Sequence, residues 1–405
     1  MTKLGIVSSS PFLIKEGGAE KHVWEFLERA KKEFELVLFP TINALLQVKS
    51  EEDREILMKN LDFLDKKFLI QDSVKNLFEN FYADRRQLLL NYINLNLHER
   101  LVRNLNDGVN KVDFLFSPNF LSPEVGMFNK PYGILVNGYL APLYMNTLSH
   151  AIWKSKIGQE PIYKGLPKSI IVKNYWKKAI RKMLTNPPKF IAGNNKIILE
   201  SEIAKLPSEK VIIDPGFAYE SDLKFVHDKE DYAVFMSARL TPSKGIYDIL
   251  RVWRRINKTL IIMGRLENYE KNFLRLVKKM GLDDRIEYKG FVRGEEKERI
   301  LGRAKVLVYP THDDTNSLTI LESLFHGTPV VSYDIQGIRY VYQSVPGVEL
   351  VKEFNYEEMS KRVLDYMEDR RTFPYESEEL KKFLLNHSSW DRVIAQEIEI
   401  IKKHL

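Results

Sequence analysis

The 405-residue sequence contains no cysteine. This absence excludes disulfides, thiolate metal sites and a cysteine nucleophile, and it gives no reason to expect an oxidising compartment. The sequence also lacks any apolar run of about 18 residues or more, and its N-terminus lacks the basic and apolar regions of a signal peptide. We therefore expect a cytoplasmic protein that is neither exported nor membrane-spanning.

The composition is that of an ordinary globular protein, with 44% hydrophobic and 29% charged residues. Because a single core stops growing near ~250–300 residues, two domains are the natural expectation for this length. A boundary is predicted near Asp214–Pro215–Gly216, where a strand-like segment ends in turn residues.

Apolar, β-branched runs alternate with stretches of helical period along both halves of the chain. This pattern predicts an α/β fold with parallel sheets covered by helices. Strands are predicted at residues 4–7, 35–39, 112–116, 132–136 and 190–192, and then at 232–236, 259–263, 285–288, 306–309 and 329–332. Residues 41–110 are expected to be mostly helical.

The segment SARLTPSKG places Arg239 just beyond a buried strand and Lys244 where the next helix is expected to begin. Ligands of parallel α/β sheets bind beyond the carboxyl ends of the strands, and a helix N-terminus there favours an anion. Together with an Arg and a Lys, this arrangement suits a diphosphate. This segment by itself does not exclude the alternative, which is a solvated Arg and Lys in a loop.

A second segment, HDDTNSLTILESLFHGTPVV, places Asp314 in a loop after a strand and Glu322 in the following helix. A carboxylate in that helix can accept hydrogen bonds from vicinal sugar hydroxyls, and residues 316–318 offer backbone N–H groups at the helix start. The alternatives are a surface charge for Glu322 and a helix cap for Asp313 or Asp314.

These segments resemble the group 1 glycosyltransferases, the retaining GT-B enzymes of glycosyltransferase family four. The resemblance extends over six segments in the family's order: SARLTPSKG, IIMGRLE, IEYKGFV, VLVYPT, the stretch from Asp314 to Glu322, and HGTPVVSYDIQG. It implies two Rossmann-like domains at residues 1–214 and 215–387, and a C-terminal helix at 388–405 that crosses back onto the N-terminal domain.

The resemblance also implies roles for individual residues. Arg239 and Lys244 are expected to bind the diphosphate and act in catalysis with Asp314, which would face the donor sugar, while Glu322 would bind the ribose. The implied donor-binding residues are Gly17, Gly18, Arg239, Lys244, Arg265, Phe291, Val292, Asn316, Ser317, Leu318 and Glu322. Asp314 stands where the family usually has Glu, so its carboxylate is one methylene shorter.

On the acceptor side, Asn137 stands where many members of the family carry a His close to the reacting sugar. Asn can form hydrogen bonds but cannot take a proton. His150 is the nearest candidate to replace that His, against the alternative of an ordinary core or surface histidine. The family's proposed mechanism needs no protein nucleophile, because the leaving phosphate itself helps to deprotonate the acceptor.

Residues 151–189 contain ten Lys and Arg residues and one acid, Glu160, a local net charge of +9. Aromatic residues are interleaved with the cations, as in interfacial membrane helices. The segment therefore indicates either peripheral binding to the anionic inner face of a membrane or a solvated basic helix. Nucleic acid is not expected, because no nucleic-acid-binding motif accompanies the charge.

The sequence thus predicts transfer of a sugar from a UDP-, GDP- or ADP-linked donor to a glycan or lipid-linked acceptor, with retention. Neither a metal ion nor another cofactor is expected, because Arg, Lys and helix ends neutralise the leaving group. Two alternatives stay open: a GT-B epimerase or phosphorylase, and a catalytically silent GT-B binding subunit. The base, the sugar, the acceptor and the oligomeric state cannot be read from the sequence.

Overall fold

The computed structural model describes residues 1–12, 18–46, 48, 50–80, 90, 92–138, 141–223 and 225–405. Its strands are β1 (Lys3–Val7), β2 (Glu35–Phe39), β3 (Phe114–Ser117), β4 (Tyr132–Val136), β5 (Phe190–Gly193), β6 (Glu209–Ile212), β7 (Glu230–Arg239), β8 (Thr259–Arg265), β9 (Ile286–Gly290), β10 (Ala304–Tyr309), β11 (Val330–Tyr333) and β12 (Val348–Val351). Its α-helices are α1 (Gly18–Ala30), α2 (Ile42–Leu45), α3 (Glu51–Asp65), α4 (Asp72–Asn80), α5 (Asn96–Val109), α6 (Ala141–Tyr144), α7 (Thr147–Lys156), α8 (Ile162–Thr185), α9 (Ile246–Trp253), α10 (Glu270–Lys279), α11 (Gly294–Arg303), α12 (Leu318–Phe325), α13 (Gln336–Tyr342), α14 (Tyr356–Met367), α15 (Glu378–Asn386) and α16 (Trp390–Lys403). The alternation of strands and helices confirms the predicted α/β class.

The chain divides into two compact units, each with one parallel sheet. The first unit comprises residues 1–150, 166–216 and 391–405, and the second comprises residues 151–165 and 217–390. The predicted limits of the domains themselves stay predictions.

The sheet of the first unit has the strand order β2-β1-β3-β4-β5-β6. All five residues of β4 are buried, as expected for a strand covered on both faces. At the edge of the sheet, an isolated parallel bridge joins Val37 of β2 to Leu69. Helix α16 contributes to this unit from the other end of the sequence. Its Glu397 carboxylate lies 2.6 Å from Nε2 of His22 on α1, and both side chains are buried.

The sheet of the second unit has the strand order β12-β11-β10-β7-β8-β9. This is the Rossmann order, and its central strands β7 and β10 are parallel neighbours whose following segments lead away in opposite directions along the sheet. Ligands of open parallel sheets bind at such a switch point, beyond the carboxyl ends of the strands. The loops after β7 and β10 carry the predicted residues Lys244 and Asp314.

Local sequence explains how helices of the second unit begin. Ser317, Asn355 and Ser377 each accept a hydrogen bond from the backbone three residues on, which caps α12, α14 and α15. Helix α9 then buries its apolar residues, including Trp253, in the core formed with the strands and α14. These fixed starts determine where the loop residues before them lie.

Candidate functional site

The loop after β7 approaches the end of β10 closely because Gly245 has no side chain. Residues Pro242–Lys244 form a 3-10 turn, and Gly245 follows with φ of +84°, in the left-handed region. A Cβ at this position would lie 2.1 Å from the carbonyl oxygen of Pro310. The backbone N–H of His312 also donates to the carbonyl of Ser243 at 2.8 Å. The two loops are therefore joined at their backbones.

This approach brings Lys244 and Asp314 into contact. The Lys244 Nζ lies 3.1 Å from Asp314 Oδ2 and also donates to the backbone carbonyl of Asp313. The Tyr309 hydroxyl donates to the same Asp314 oxygen at 2.6 Å. The side chains of Lys244 and Asp314 are 24% and 15% exposed, so both remain accessible to a ligand.

The surroundings keep Lys244 positively charged. Burial opposes its charge, but the Asp314 carboxylate and neighbouring Tyr309 outweigh burial and raise the pKa of Lys244 above its ordinary value. Burial raises the pKa of Asp313 to about 6, although the charge of Lys244 acts against it. The loop after β10 therefore carries two carboxyl groups in different environments beside one fixed cation.

Two arginines end neighbouring strands, since Arg239 of β7 and Arg265 of β8 are partners in the parallel ladder. Arg239 is exposed. The Arg265 guanidinium lies over the ring of Phe291, with Cζ 3.8 Å from the ring centroid, and Arg293 lies 4.7 Å from the same centroid. Among the described residues, the buried Nη1 of Arg265 has no hydrogen-bond partner. Val292, next to Phe291, is half-buried.

Helix α12 begins beside Asp314, with Asn316 and Ser317 in the loop before it and Leu318 as its first residue. The Tyr342 hydroxyl donates to the Ser317 carbonyl at 2.8 Å and fixes the approach to the helix. Four residues into α12, the Glu322 carboxylate is 17% exposed and lies 3.1 Å from Lys297 Nζ of α11.

The first unit contains the acceptor-side candidates. Gly17 lies outside the described residues, and Gly18 is the first residue of α1. Asn137 directly follows β4, and its amide donates to the Pro118 carbonyl at 3.4 Å. His150 is buried on α7 and 5% exposed. The roles predicted for these residues stay predictions.

Lys297, Tyr309 and His312 were not predicted from the sequence. Lys297 reaches Glu322 across two helices, and Tyr309 reaches Asp314 from the last position of β10. Neither spacing matches a known motif, so only the folded arrangement reveals them. Among the described residues, no group of three or more His, Cys, Asp or Glu side chains is arranged to hold a metal ion.

The region that carries most of the donor candidates matches a known protein family. Residues 220–383 match the family described as glycosyl transferases group 1. An uncharacterized glycosyltransferase of Methanocaldococcus jannaschii is 24% identical over 200 residues, which is 47% of this chain and 50% of that protein. The O-antigen chain mannosyltransferase RfbU of Salmonella typhimurium is 27% identical over 175 residues, 42% of this chain and 48% of that protein. The matched regions thus span about half the length of these relatives.

Solved structures show the same fold over the whole chain. HepE of Anabaena in complex with UDP-glucose has a TM-score of 0.68 at 14% identity and covers 100% of both chains. Sucrose-phosphate synthase of Thermosynechococcus elongatus has a TM-score of 0.66 at 12% identity and covers 100% of this chain and 99% of that one. These likenesses confirm the predicted GT-B architecture.

Proposed function

We propose that this chain, whose residues 220–383 match the group 1 glycosyl transferase family, moves a sugar from a nucleotide-diphosphate sugar to an acceptor. The observation that carries the proposal is the meeting of Lys244 and Asp314 at the switch point of the second sheet, 3.1 Å apart. The positively charged Lys244, the exposed Arg239 and the start of α12 all lie at the carboxyl edge of that sheet. Such an edge suits a diphosphate.

In the proposed reaction, Arg239 and Lys244 bind the diphosphate and stabilise the charge that develops on it as the glycosidic bond breaks. Asp314 has one oxygen held by Lys244 and Tyr309, which leaves Oδ1 to accept a hydrogen bond from a hydroxyl of the donor sugar. Glu322, held by Lys297, is proposed to accept hydrogen bonds from the ribose hydroxyls. Arg265, Phe291, Val292 and residues 316–318 are proposed to complete the donor site.

We propose that transfer retains the anomeric configuration. The leaving phosphate takes the acceptor proton on the face from which it departs, so no protein nucleophile is needed. Asn137 is suited to orient a hydroxyl by hydrogen bonding rather than to take its proton. Determining the anomer of the first-formed product by NMR tests this step.

Slow hydrolysis of at least one nucleotide hexose is the first expected result, and it should persist in excess EDTA because Arg239 and Lys244 supply the charge for the leaving group. A panel of UDP-, GDP- and ADP-sugars, each assayed for release of the nucleoside diphosphate, measures it. UDP-glucose is the first donor to try, since HepE was crystallised with it. Donor epimerisation, phosphorolysis, or binding without turnover would favour the epimerase, phosphorylase or silent-subunit alternative. Turnover that is lost in EDTA and restored by magnesium or manganese would contradict the metal-independent mechanism.

We propose a glycan or lipid-linked acceptor and an anionic membrane surface as partners. Helix α8 supports this proposal, because it exposes apolar Ile170, Ile171 and Leu184 together with Lys177, Lys178 and Arg181. An apolar and basic helix surface is what the interface of an anionic bilayer attracts. Among the described helices, none is long and apolar enough to cross a membrane.

The triple variant Lys177→Glu, Lys178→Glu, Arg181→Glu should lose binding to anionic vesicles, because each cation near such a surface contributes about 1 kcal/mol. Co-sedimentation with phosphatidylserine-containing and neutral liposomes at low salt measures the effect. The matched control replaces Lys271, Lys278 and Lys279, exposed cations of α10, by Glu and should bind like the wild type. Equal binding of the wild type to neutral and anionic vesicles would refute the membrane proposal.

A further inference from the structure

A buried histidine lies next to the donor-site loop and joins two carboxylates. The ring of His312 lies between Asp248 of α9 and Glu353, which follows β12. Its Nε2 is 2.7 Å from Asp248 Oδ2, and its Nδ1 is 2.6 Å from Glu353 Oε1. The side chains of His312 and Asp248 are 0% exposed, whereas Glu353 is 30% exposed.

Two ionised carboxylates, which can only accept hydrogen bonds, call for a proton on each ring nitrogen. A neutral imidazole has one N–H and can donate to one carboxylate only, whereas the imidazolium donates to both. Burial opposes the charged form, but the hydrogen bonds to Asp248 and Glu353 outweigh burial and raise the pKa of His312 above its ordinary value. The ring that donates a hydrogen bond to each carboxylate is therefore the imidazolium.

His312 connects the segments that follow three strands through its ring and its backbone. Its own backbone N–H donates to Ser243, one residue before Lys244, and the next two residues are Asp313 and Asp314. On its other side, Phe354 lies against the ring with a centroid distance of 4.8 Å. Phe354 has φ of +67°, a conformation that is costly for a bulky residue and that is kept only where the surroundings impose it. Helix α9, the loop after β10 and the segment after β12 thus share one ionic contact, and a backbone hydrogen bond joins the loop after β7 to it.

We propose that His312 is a positioning residue whose imidazolium holds Lys244, Asp313 and Asp314 in the arrangement that receives the donor, so that donor turnover has an alkaline limit set by the loss of its proton. This inference rests on the function proposed above. Loss of the proton removes one of the two hydrogen bonds and leaves a carboxylate without its donor. The loop that carries Asp313 and Asp314 then loses a fixed anchor.

The ionisable groups near the ring shape its titration. Asp248 and Glu353 bond to the ring, Tyr333 of β11 lies against it, and its charge acts on Asp313. Arg251 of α9 in turn bonds to Asp248 and to Tyr356 of α14. Because the folded pKa of His312 is raised, its contribution to stability is fully present below the unfolded pKa of ~6.5. That contribution is lost as the pH rises through the folded value.

The test compares pH profiles of kcat/KM for donor hydrolysis. In the wild type, kcat/KM should fall on the alkaline side with a midpoint above ~6.5. His312→Asn should be roughly 10- to 100-fold slower at pH 6 and should lack this fall, because a displaced catalytic loop costs about that much. His227→Asn, a change at an exposed histidine of the same unit, should leave the profile unchanged.

Glu353→Gln provides a milder test that does not depend on the folding of His312→Asn. Gln keeps an acceptor oxygen at the same place but removes the negative charge, so the alkaline midpoint should move down by about 1 unit or more. Glu357→Gln, an exposed acid on α14, is the matched control and should not move it. An unchanged midpoint in Glu353→Gln, or an intact alkaline fall in a folded His312→Asn, would overturn the proposal.

Imidazole NMR separates this inference from the proposed function. With uniformly ¹⁵N-labelled wild type, the ring nitrogens of His312, assigned by their loss in His312→Asn, should titrate together with the amide of Asp314. Glu353→Gln should lower both midpoints, and neither measurement requires a donor. If no nucleotide sugar is turned over but these titrations coincide, the proposed function fails while the positioning of the loop stands. Independent midpoints would overturn the positioning role itself.

Discussion

Replacing Arg239 by alanine is expected to lower kcat/KM for sugar transfer by an amount equivalent to ~2–4 kcal/mol of transition-state stabilisation. Arg239 is exposed at the carboxyl end of β7 and is the ladder partner of Arg265. Its guanidinium can hold the diphosphate through two hydrogen bonds and offset the charge that develops as the sugar leaves. Because that charge is larger in the transition state than in the bound donor, the loss should appear in kcat as well as in KM.

Steady-state kinetics with the donor found in the panel measure the effect of Arg239→Ala. Arg254→Ala is the matched control, because Arg254 is also exposed in the second unit but lies at the end of α9. Both variants should unfold at the wild-type denaturant concentration, since neither side chain belongs to the core. An Arg239→Ala variant with wild-type kcat/KM would remove the central assignment of the donor site.

The fold was largely predictable because buried parallel strands are nearly continuous apolar runs. The ten strands predicted from these runs all occur, with ends that differ by a few residues: the third begins at Phe114 rather than Val112. Two strands lie outside these ten, the edge strands β6 and β12; β12 is Val-Glu-Leu-Val, and three of its four residues are only half-buried. An edge strand contacts a neighbour on one side only, so its pattern is shorter and less apolar.

The positions of the candidate residues at the carboxyl edge of the sheet were predictable, whereas the contacts between them were not, and their roles stay predictions. Arg239 and Asp314 could be placed at this edge because loops after parallel strands meet at one edge. The ion pair of Lys244 with Asp314 joins positions 70 residues apart, and it depends on the backbone approach that Gly245 allows. The bonds of His312 likewise depend on the arrangement of α9 and the segment after β12, which no short spacing in the sequence encodes.

Replacing Lys244 by methionine should lower both stability and activity, for two different reasons. Stability should fall by about 1–3 kcal/mol, because Asp314 keeps only the Tyr309 hydroxyl as a partner in a partly buried place. Donor kcat/KM should fall by roughly 100-fold or more, because a cation is lost from the diphosphate site. Urea unfolding and donor kinetics measure the two effects separately.

The double variant Lys244→Met, Asp314→Asn distinguishes the two causes. The amide that replaces the Asp314 carboxylate is neutral and can still accept the Tyr309 hydrogen bond, so most of the lost stability should return. Activity should not return, because the diphosphate still lacks its cation. Lys258→Met serves as the control. Lys258 lies outside the site, and its Nζ is 2.8 Å from the Asp231 carboxylate. An exposed pair of this kind contributes about 1 kcal/mol or less to stability. If the double variant regains activity together with stability, then Lys244 acts only as the counter-ion of Asp314, and the charge on the diphosphate must be met by the arginines at the ends of β7 and β8.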